Sequence, residues 1–144
     1  MVRPFVTHAR EQPTIEWRPG VQTRLHTAGD RGATALCVIE QWCEPGRGAP
    51  THTHFDVEEV IAVISGTGEF WVDGETEDVA AGGSVRLPPN SWHGFRNAGE
   101  DELHILAVFA SDTPMVSFET DPQTILQIGA RGRMLDAHRA IREG

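Results

Sequence analysis

Two histidines separated by a single residue, His52 and His54, are the first feature of this sequence that could do chemistry. In an extended strand, residues two apart project from the same face, so both imidazoles would point the same way. Two carboxylates, Glu58 and Glu59, follow in the same stretch, and a third histidine, His93, lies on a later one. Three neutral imidazoles and one carboxylate suit Fe, Mn, Ni, Co or Zn. The residues therefore predict a metal site, although a His-x-His pair alone is more often incidental.

The elements that must position these residues are short β-strands. Runs rich in Val, Ile, Thr, Phe and Trp alternate with turn-forming sequences along most of the chain, a spacing typical of all-β sandwiches and barrels. Val72-Asp73-Gly74-Glu75 predicts a tight hairpin, because Asp-Gly accepts the positive φ angles of that turn. Residues 60–64 are all apolar, at odd and at even positions alike, and so predict a strand that is buried on both faces. Its outer face would be covered by the N-terminal arm, the C-terminal segment or a second subunit.

The stretch that contains His52 and His54 resembles the first sequence motif of the cupin family. That motif places a glycine ahead of a His-x-His pair, a glutamate shortly after the pair, and a closing glycine. The positions that match it are Gly46, His52, His54, Glu59 and Gly66.

The later stretch resembles the second cupin motif. Gly82, Pro88, His93 and Asn97 match, whereas Asn90 stands where the family prefers glycine. Asparagine tolerates the left-handed backbone conformation better than most residues, so this departure is compatible with the motif. The resemblance implies an all-β fold of the cupin type, a double-stranded β-helix or jelly-roll barrel.

Carried onto this sequence, the resemblance implies one divalent metal ion per chain (Zn, Fe, Mn or Ni) held by His52, His54, Glu59 and His93. The family allows the carboxylate at either of two spacings, so Glu58 is an alternative, but the gap to the closing glycine selects Glu59. Neighbours on a strand face opposite ways, so only one of the two can reach the metal. An inward Glu59 would bring Ile61 and Val63 into an apolar cavity wall, and an inward His93 would bring Phe95 and Asn97 inward while Trp92 and Arg96 face outward.

The chain is expected to form a single cupin domain over residues 1–144. An N-terminal arm with strands (1–33) precedes the barrel core with both motifs (34–118), and a short C-terminal helical segment (119–144) follows. Asp121 and Pro122 offer a helix N-cap and a first helical position, which predicts a helical turn through about Gln127. Residues at helical spacing over 134–141 predict a further helix, which would pack over a sheet edge or, as the alternative, form a mobile lid.

Composition excludes several classes of partner. The 144 residues include 12 basic and 21 acidic side chains, for a net charge of −9, and every basic residue is arginine. Nucleic acid and anionic membrane surfaces are therefore poor partners, and no apolar stretch is long enough to span a membrane. Cys37 and Cys43 lie on one predicted strand, too far apart to bridge, and two free thiols fit a cytoplasmic protein. The absence of Lys and Tyr indicates a high-GC bacterial genome.

The ligand set predicts a site built for exchange, because protein side chains alone would not fill the coordination sphere of an octahedral ion. The favoured hypothesis is an enzyme in which the metal acts as a Lewis acid on a small oxygen-rich molecule, in enolisation, isomerisation or cyclisation. Its substrate would be aromatic, β-dicarbonyl or polyketide-like, as in small cupins that resemble aromatic polyketide cyclases. The alternatives are an Fe- or Ni-dependent dioxygenase and a non-catalytic ligand-binding cupin.

Four further expectations concern features outside the ligand set. His104, on a mostly apolar predicted strand, is the candidate acid–base residue, although a hydrogen-bonded or partly exposed histidine is the simpler interpretation. His26 could reach a neighbouring subunit's cavity, but a local role is again simpler, and no buried arginine for a carboxylate substrate is evident on the motif strands. The apolar outer face of residues 59–64, together with the family resemblance, predicts a two-fold homodimer.

Overall fold

Residues 5–130 are described by a computed structural model, in which two antiparallel sheets share one apolar core. The first sheet, the A sheet, contains in spatial order β1 (Ile15–Arg18), β2 (Val21–Thr27), β3 (Cys37–Cys43), β10 (Leu103–Phe109), β5 (Glu59–Ser65) and β8 (Ser84–Leu87). The second sheet, the B sheet, contains β12 (Asp121–Gln127), β11 (Met115–Phe118), β4 (Gly48–Thr53), β9 (His93–Asn97), β6 (Thr67–Val72) and β7 (Glu75–Ala80). The all-β jelly-roll fold expected from the motifs is confirmed.

Alternation of apolar residues along the strands explains why the two sheets close on each other. In β3 and β10 every second side chain is buried, the period expected of strands with one face on a core. Leu103, Ile105, Ala107 and Phe109 of β10 all point inward. The core they enter also contains aromatic residues from both sheets, among them Phe70 and Phe95, whose rings stack at a centroid distance of 5.3 Å.

Two predicted turns have the backbone geometry that their residues indicate. Val72 pairs with Glu75 across the hairpin between β6 and β7, and both residues of the turn, Asp73 and Gly74, have positive φ angles, of 48° and 88°. Asn90, which replaces the glycine of the second motif, has a φ of 66°. Both positions therefore adopt the left-handed conformation that asparagine, aspartate and glycine tolerate best.

The C-terminal segment departs from the sequence prediction. Asp121–Gln127 was expected to be a helical turn, and this is wrong, since it forms the edge strand β12, which pairs with β11. So short a helix would be marginal in isolation, whereas pairing satisfies backbone donors and acceptors of both strands. The helix predicted over residues 134–141 lies outside the described residues.

The two faces of β5 differ in burial. Ile61 and Val63 of β5 are buried, but Val60 and Ile64 on the opposite face are 38% and 49% exposed. The described residues thus leave this face partly exposed, and its cover by the C-terminal segment or a second subunit stays a prediction. Cys37 and Cys43, at opposite ends of β3, are both buried free thiols. Among the described residues, no helix has the length and apolar character needed to span a membrane.

Candidate metal centre

Three strands from both sheets position the predicted ligands at one end of the core. His52 lies near the end of β4 and pairs with His93, the first residue of β9, while His54 follows β4 directly. Glu59 is the first residue of β5 and enters from the A sheet. The structure thus brings the three histidines and the glutamate together, although they are distant in sequence.

The four side chains form a compact and buried cluster. Each of the four residues is at most 8% exposed, and each offers one donor atom within 4.8 Å of the others. Glu59 Oε1 lies 3.2 Å from His54 Nε2 and 3.4 Å from His93 Nε2. The ring centroid of His52 is 4.9 Å from that of His54 and 4.4 Å from that of His93. This arrangement could hold a metal ion with one donor from each residue.

Hydrogen bonds behind the imidazoles orient their free nitrogens toward the cluster. The Nδ1–H group of His52 donates to the Pro50 carbonyl at 2.7 Å, and that of His54 donates to the Met115 carbonyl at 2.8 Å. His93 Nδ1 lies 3.1 Å from the carbonyl of Ser91. Because a carbonyl oxygen can only accept, each ring carries a proton on Nδ1, and its Nε2 atom faces the cluster. Outer hydrogen bonds of this kind are typical of metal-binding histidines.

Unsatisfied buried atoms provide the test of whether a metal fits this site. His54 Nε2, His93 Nε2 and Glu59 Oε1 are buried and have no hydrogen-bond partner. Buried polar atoms are nearly always hydrogen-bonded, so three unpaired polar atoms that face one another require an explanation. A divalent cation among them would satisfy all three at once, and the residues present therefore fit a metal ion.

Protonation states in the cluster favour metal binding. Burial would raise the pKa of the Glu59 carboxyl, but its contacts with His54 and His93 lower that pKa to about 2. Burial, with the neighbouring His54 and His93, lowers the pKa of His52 well below its usual value. At neutral pH Glu59 is therefore a carboxylate and His52 a neutral imidazole, the forms in which these side chains bind metals.

The adjacent carboxylate, Glu58, lies outside the cluster. It is exposed, and its Oε2 atom lies 3.4 Å from Arg86 Nη1. The alternation expected around the ligands is also present: Phe95 and Asn97 are buried with His93, whereas Trp92 is 38% exposed. Arg96 likewise faces outward, where it pairs with Glu69. Of the two glutamates, only Glu59 is placed to act as a ligand.

A small apolar cavity of about 50 Å³ adjoins the cluster. Its lining includes His52, His54 and Glu59, and the other residues that surround it are Trp17, Arg18, Ile39, Ala49, Ile61, Phe95, Phe109, Val116, Phe118 and Ile128. Of the two residues predicted for its apolar wall, Ile61 lines the cavity, whereas Val63 is buried in the core and is not among the lining residues. Both sheets contribute to the wall. Its volume is enough for a few atoms beside a metal ion but below that of a pocket for a drug-sized ligand.

Arg18 is the residue of this cavity that sequence reasoning missed. It ends β1, far from both motifs, and its guanidinium lies over the Phe118 ring at 5.1 Å from the centroid. The expectation that no buried arginine faces the cavity considered only the motif strands. No signal in the local sequence distinguishes Arg18 from other arginines, because its position depends on how β1 packs against β11.

His104 does not join the cluster. It lies on the outer face of the A sheet, where its Nε2 atom is 2.6 Å from Glu40 Oε2 and its ring stacks on Trp42. His26 binds the other oxygen of the same carboxylate at 2.8 Å. The neighbouring Gln41 points inward and donates to Thr23 Oγ1. The two histidines thus belong to one surface network, and no contact links His104 to the cavity.

Comparisons with known proteins agree with this geometry. A family model described as Cupin domain matches residues 41–109. The chain is 30% identical over 105 residues to a Streptomyces cyaneus protein named polyketide synthase CurC, a match that covers 73% of this chain and 68% of that protein.

Two solved structures illustrate the similarity of fold. A mutant of Bacillus subtilis oxalate decarboxylase OxdC superposes with a TM-score of 0.70 at 22% identity, over 78% of this chain. The match covers 31% of the decarboxylase, so this chain spans about a third of its length. KdgF from a Halomonas species superposes with a TM-score of 0.62 at 19% identity, over 72% of this chain and 90% of that protein. At these identities the likeness concerns the fold.

Proposed function

Because this chain belongs to the cupin family, we propose that it is a metal-dependent enzyme acting on a small oxygen-rich molecule. The reaction class proposed is enolisation, isomerisation or cyclisation of an aromatic, β-dicarbonyl or polyketide-like substrate. One divalent ion per chain, Zn, Fe, Mn or Ni, would be held by His52, His54, Glu59 and His93.

The observation that carries this proposal is the convergence of unsatisfied donor atoms beside an apolar cavity. A structural metal site would be closed by its protein ligands, commonly with cysteine among them. Here both cysteines lie elsewhere, on β3. The cluster lies beside the small apolar cavity described above. When bound, the ion would supply Lewis-acid chemistry, polarising substrate oxygens and making a neighbouring C–H bond more acidic.

The chain's own residues contribute orientation and exclusion of water. Ile61, Phe109 and Val116 supply apolar surface around the cluster, which favours the hydrocarbon part of a substrate and strengthens electrostatic interactions within the site. Apart from Arg18, the titratable side chains that line the cavity in the described part of the chain are members of the cluster. We therefore assign activation to the ion and positioning to the walls. The similarity to a protein named polyketide synthase supports the substrate class.

Metal content is the first test. Elemental analysis of the purified protein should give close to one divalent metal per chain, and His52→Ala should remove most of it. His104→Ala is the matched control, because His104 is hydrogen-bonded on the outer face of the A sheet. A protein that cannot be loaded with Fe, Mn, Ni or Zn would contradict the proposal, as would equal metal loss in the two variants.

Reaction class is tested with a β-dicarbonyl probe. The metal-loaded protein should accelerate deuterium incorporation at the central carbon of ethyl acetoacetate, measured by NMR, in the absence of oxygen. His52→Ala should lose this acceleration and His104→Ala should keep it. Consumption of dioxygen with loss of the probe would instead favour a dioxygenase. Full metal loading with no reaction on this probe or on aromatic polyketide-like compounds would favour a ligand-binding cupin.

A further inference from the structure

Arg18 is a half-buried cation without a counter-ion. Among residues 5–130, no hydrogen bond or ion pair involves its side chain, and its contact is with the face of Phe118. Several other arginines have carboxylate partners, among them Arg24, which pairs with Glu40. Taking a guanidinium partly out of water without a partner is unfavourable. Such a group is expected to be satisfied by a partner that residues 5–130 do not supply.

The aromatic ring beneath Arg18 links it to the metal cluster. The ring centroid of Phe118 lies 5.1 Å from Arg18 Cζ and 5.6 Å from the His52 ring centroid. Stacking on an aromatic face holds a guanidinium plane in place while its N–H groups stay available. A molecule that reaches the cluster can therefore also reach these donors, with the Phe118 ring beside it.

Arg18 also joins the inner cavity to a larger surface depression. This depression, of about 380 Å³, shares Arg18, Ala49 and Phe95 with the cavity. Two further arginines line it, Arg47 and Arg96. Glu69 balances the charge of Arg96, so in a chain with a net charge of −9 Arg18 and Arg47 make a local positive region that attracts anions.

We propose that Arg18 binds a carboxylate of the substrate, so that this protein selects anionic molecules whose other end reaches the metal cluster. A planar guanidinium fork matches a carboxylate in a bidentate arrangement. Arg96 is less suited to this role because Glu69 already binds it at 2.9 Å. The inference rests on the proposed function for what happens at the cluster, but carboxylate binding by Arg18 can be measured without it. Arg18 would be a specificity-determining residue.

Calorimetric titration with benzoate tests this inference, with benzamide as the neutral probe of nearly the same shape. The titrations use the full chain, both metal-loaded and treated with chelator. Wild-type protein should bind benzoate more tightly than benzamide. Arg18→Gln should weaken benzoate binding about tenfold or more, the scale expected for a charge-assisted pair, and leave benzamide binding unchanged. Arg18→Lys should fall between the two because it keeps the charge and loses the fork.

The control variant is Arg86→Gln, because Arg86 is exposed and pairs with Glu58 away from the cavity. It should bind benzoate as the wild type does. Equal benzoate affinity in the Arg18 and Arg86 variants, or equal affinity of the wild type for benzoate and benzamide, would overturn the inference, as would no binding of benzoate at all. If Arg18→Gln fails to fold, Arg18→Lys and the comparison of the two probes on wild-type protein decide.

Metal content separates this inference from the proposed function. Arg18→Gln should retain as much metal as the wild type, since Arg18 is not among the four donors. Arginine-dependent benzoate binding in a protein that takes up no metal would support the anion site and contradict the proposed function. Full metal loading, with benzoate binding that is the same in Arg18→Gln as in the wild type, would contradict the anion site and leave the proposed function intact.

Discussion

Replacing Glu59 by glutamine removes the negative charge of the cluster while keeping its shape. Glu59 is 4% exposed, and its Oε1 atom faces the Nε2 atoms of His54 and His93. Loss of a residue that merely supports a metal ligand typically weakens metal binding ~10- to 100-fold. Loss of a ligand itself, and of its charge, should weaken binding by about 100-fold or more.

Thermal melting measures this difference directly. Free metal at about 100 times the dissociation constant stabilises a protein by about 2.7 kcal/mol, which for a chain of this size raises the melting temperature by roughly 5–10 °C. At the same metal concentration, Glu59→Gln would gain about 0.4 kcal/mol, or roughly 1 °C. Without metal the variant should still fold, because an amide N–H can donate to an Nε2 lone pair that otherwise has no partner.

Glu58→Gln is the control for this experiment. Glu58 adjoins Glu59 in sequence, but its side chain is 49% exposed and its pair with Arg86 is a surface contact, which contributes at most about 1 kcal/mol. The control should therefore keep the full metal-induced rise in melting temperature. A rise that disappears in Glu58→Gln and survives in Glu59→Gln would refute the assignment of the carboxylate ligand.

Four other outcomes are expected. Chelation should lower the melting temperature and leave the β-sheet circular dichroism intact; complete unfolding would contradict this. Metal-free protein should lose stability in two steps as the pH falls. The first begins below about pH 6.5, because the lowered pKa of His52 makes the unfolded state bind more protons than the folded state. The second lies between about pH 4.5 and 2, where Glu59 is protonated in the unfolded state but not in the folded state; urea titrations at pH 7.5, 5.5 and 4 check this. Asn97→Ala should cost about 2–4 kcal/mol in urea unfolding, since this buried amide bonds to Cys43, Gly99 and Asp101, with unchanged metal content. If the exposed apolar face of β5 forms the predicted homodimer interface, light scattering should give twice the chain mass for the wild type and the chain mass for Val60→Glu; a wild-type monomer would refute the dimer.

The fold and the cluster could be predicted because their signals are local. Alternation along a strand determines which face a residue occupies, so placing Glu59 inward also places Ile61 and Val63 inward and leaves Val60 and Ile64 outward. The His-x-His pair and the later histidine lie in recognisable spacings, and antiparallel pairing of β4 with β9 brings His52 opposite His93.

Features that depend on contacts between distant segments could not be predicted in this way. The capping residues Asp121 and Pro122 favour a helix locally. This preference is outweighed because β11 has an edge with which the segment pairs as strand β12. Arg18 reaches the cavity because β1 lies where its end meets Phe118 of the other sheet. The position of His104, in contrast, follows from local alternation. Side chains of β10 alternate between the two faces of the sheet, so His104 lies on the outer face, whereas Phe109 lies on the inner face and lines the cavity.

The four donors come from both sheets, but the fold does not require a metal ion to hold the two sheets together. Glu59 comes from the A sheet and the histidines come from the B sheet, so an ion among them would join the two sheets at one end. The sheets are already held by a continuous apolar core that includes Leu103, Ile105 and Phe70, and a chain of this length can bury enough apolar surface without a metal. A link that folding does not require can exchange its remaining ligands. A core that is stable without a metal can thus hold the unsatisfied donors in place, and their position beside an apolar cavity fits the exchangeable metal site proposed above.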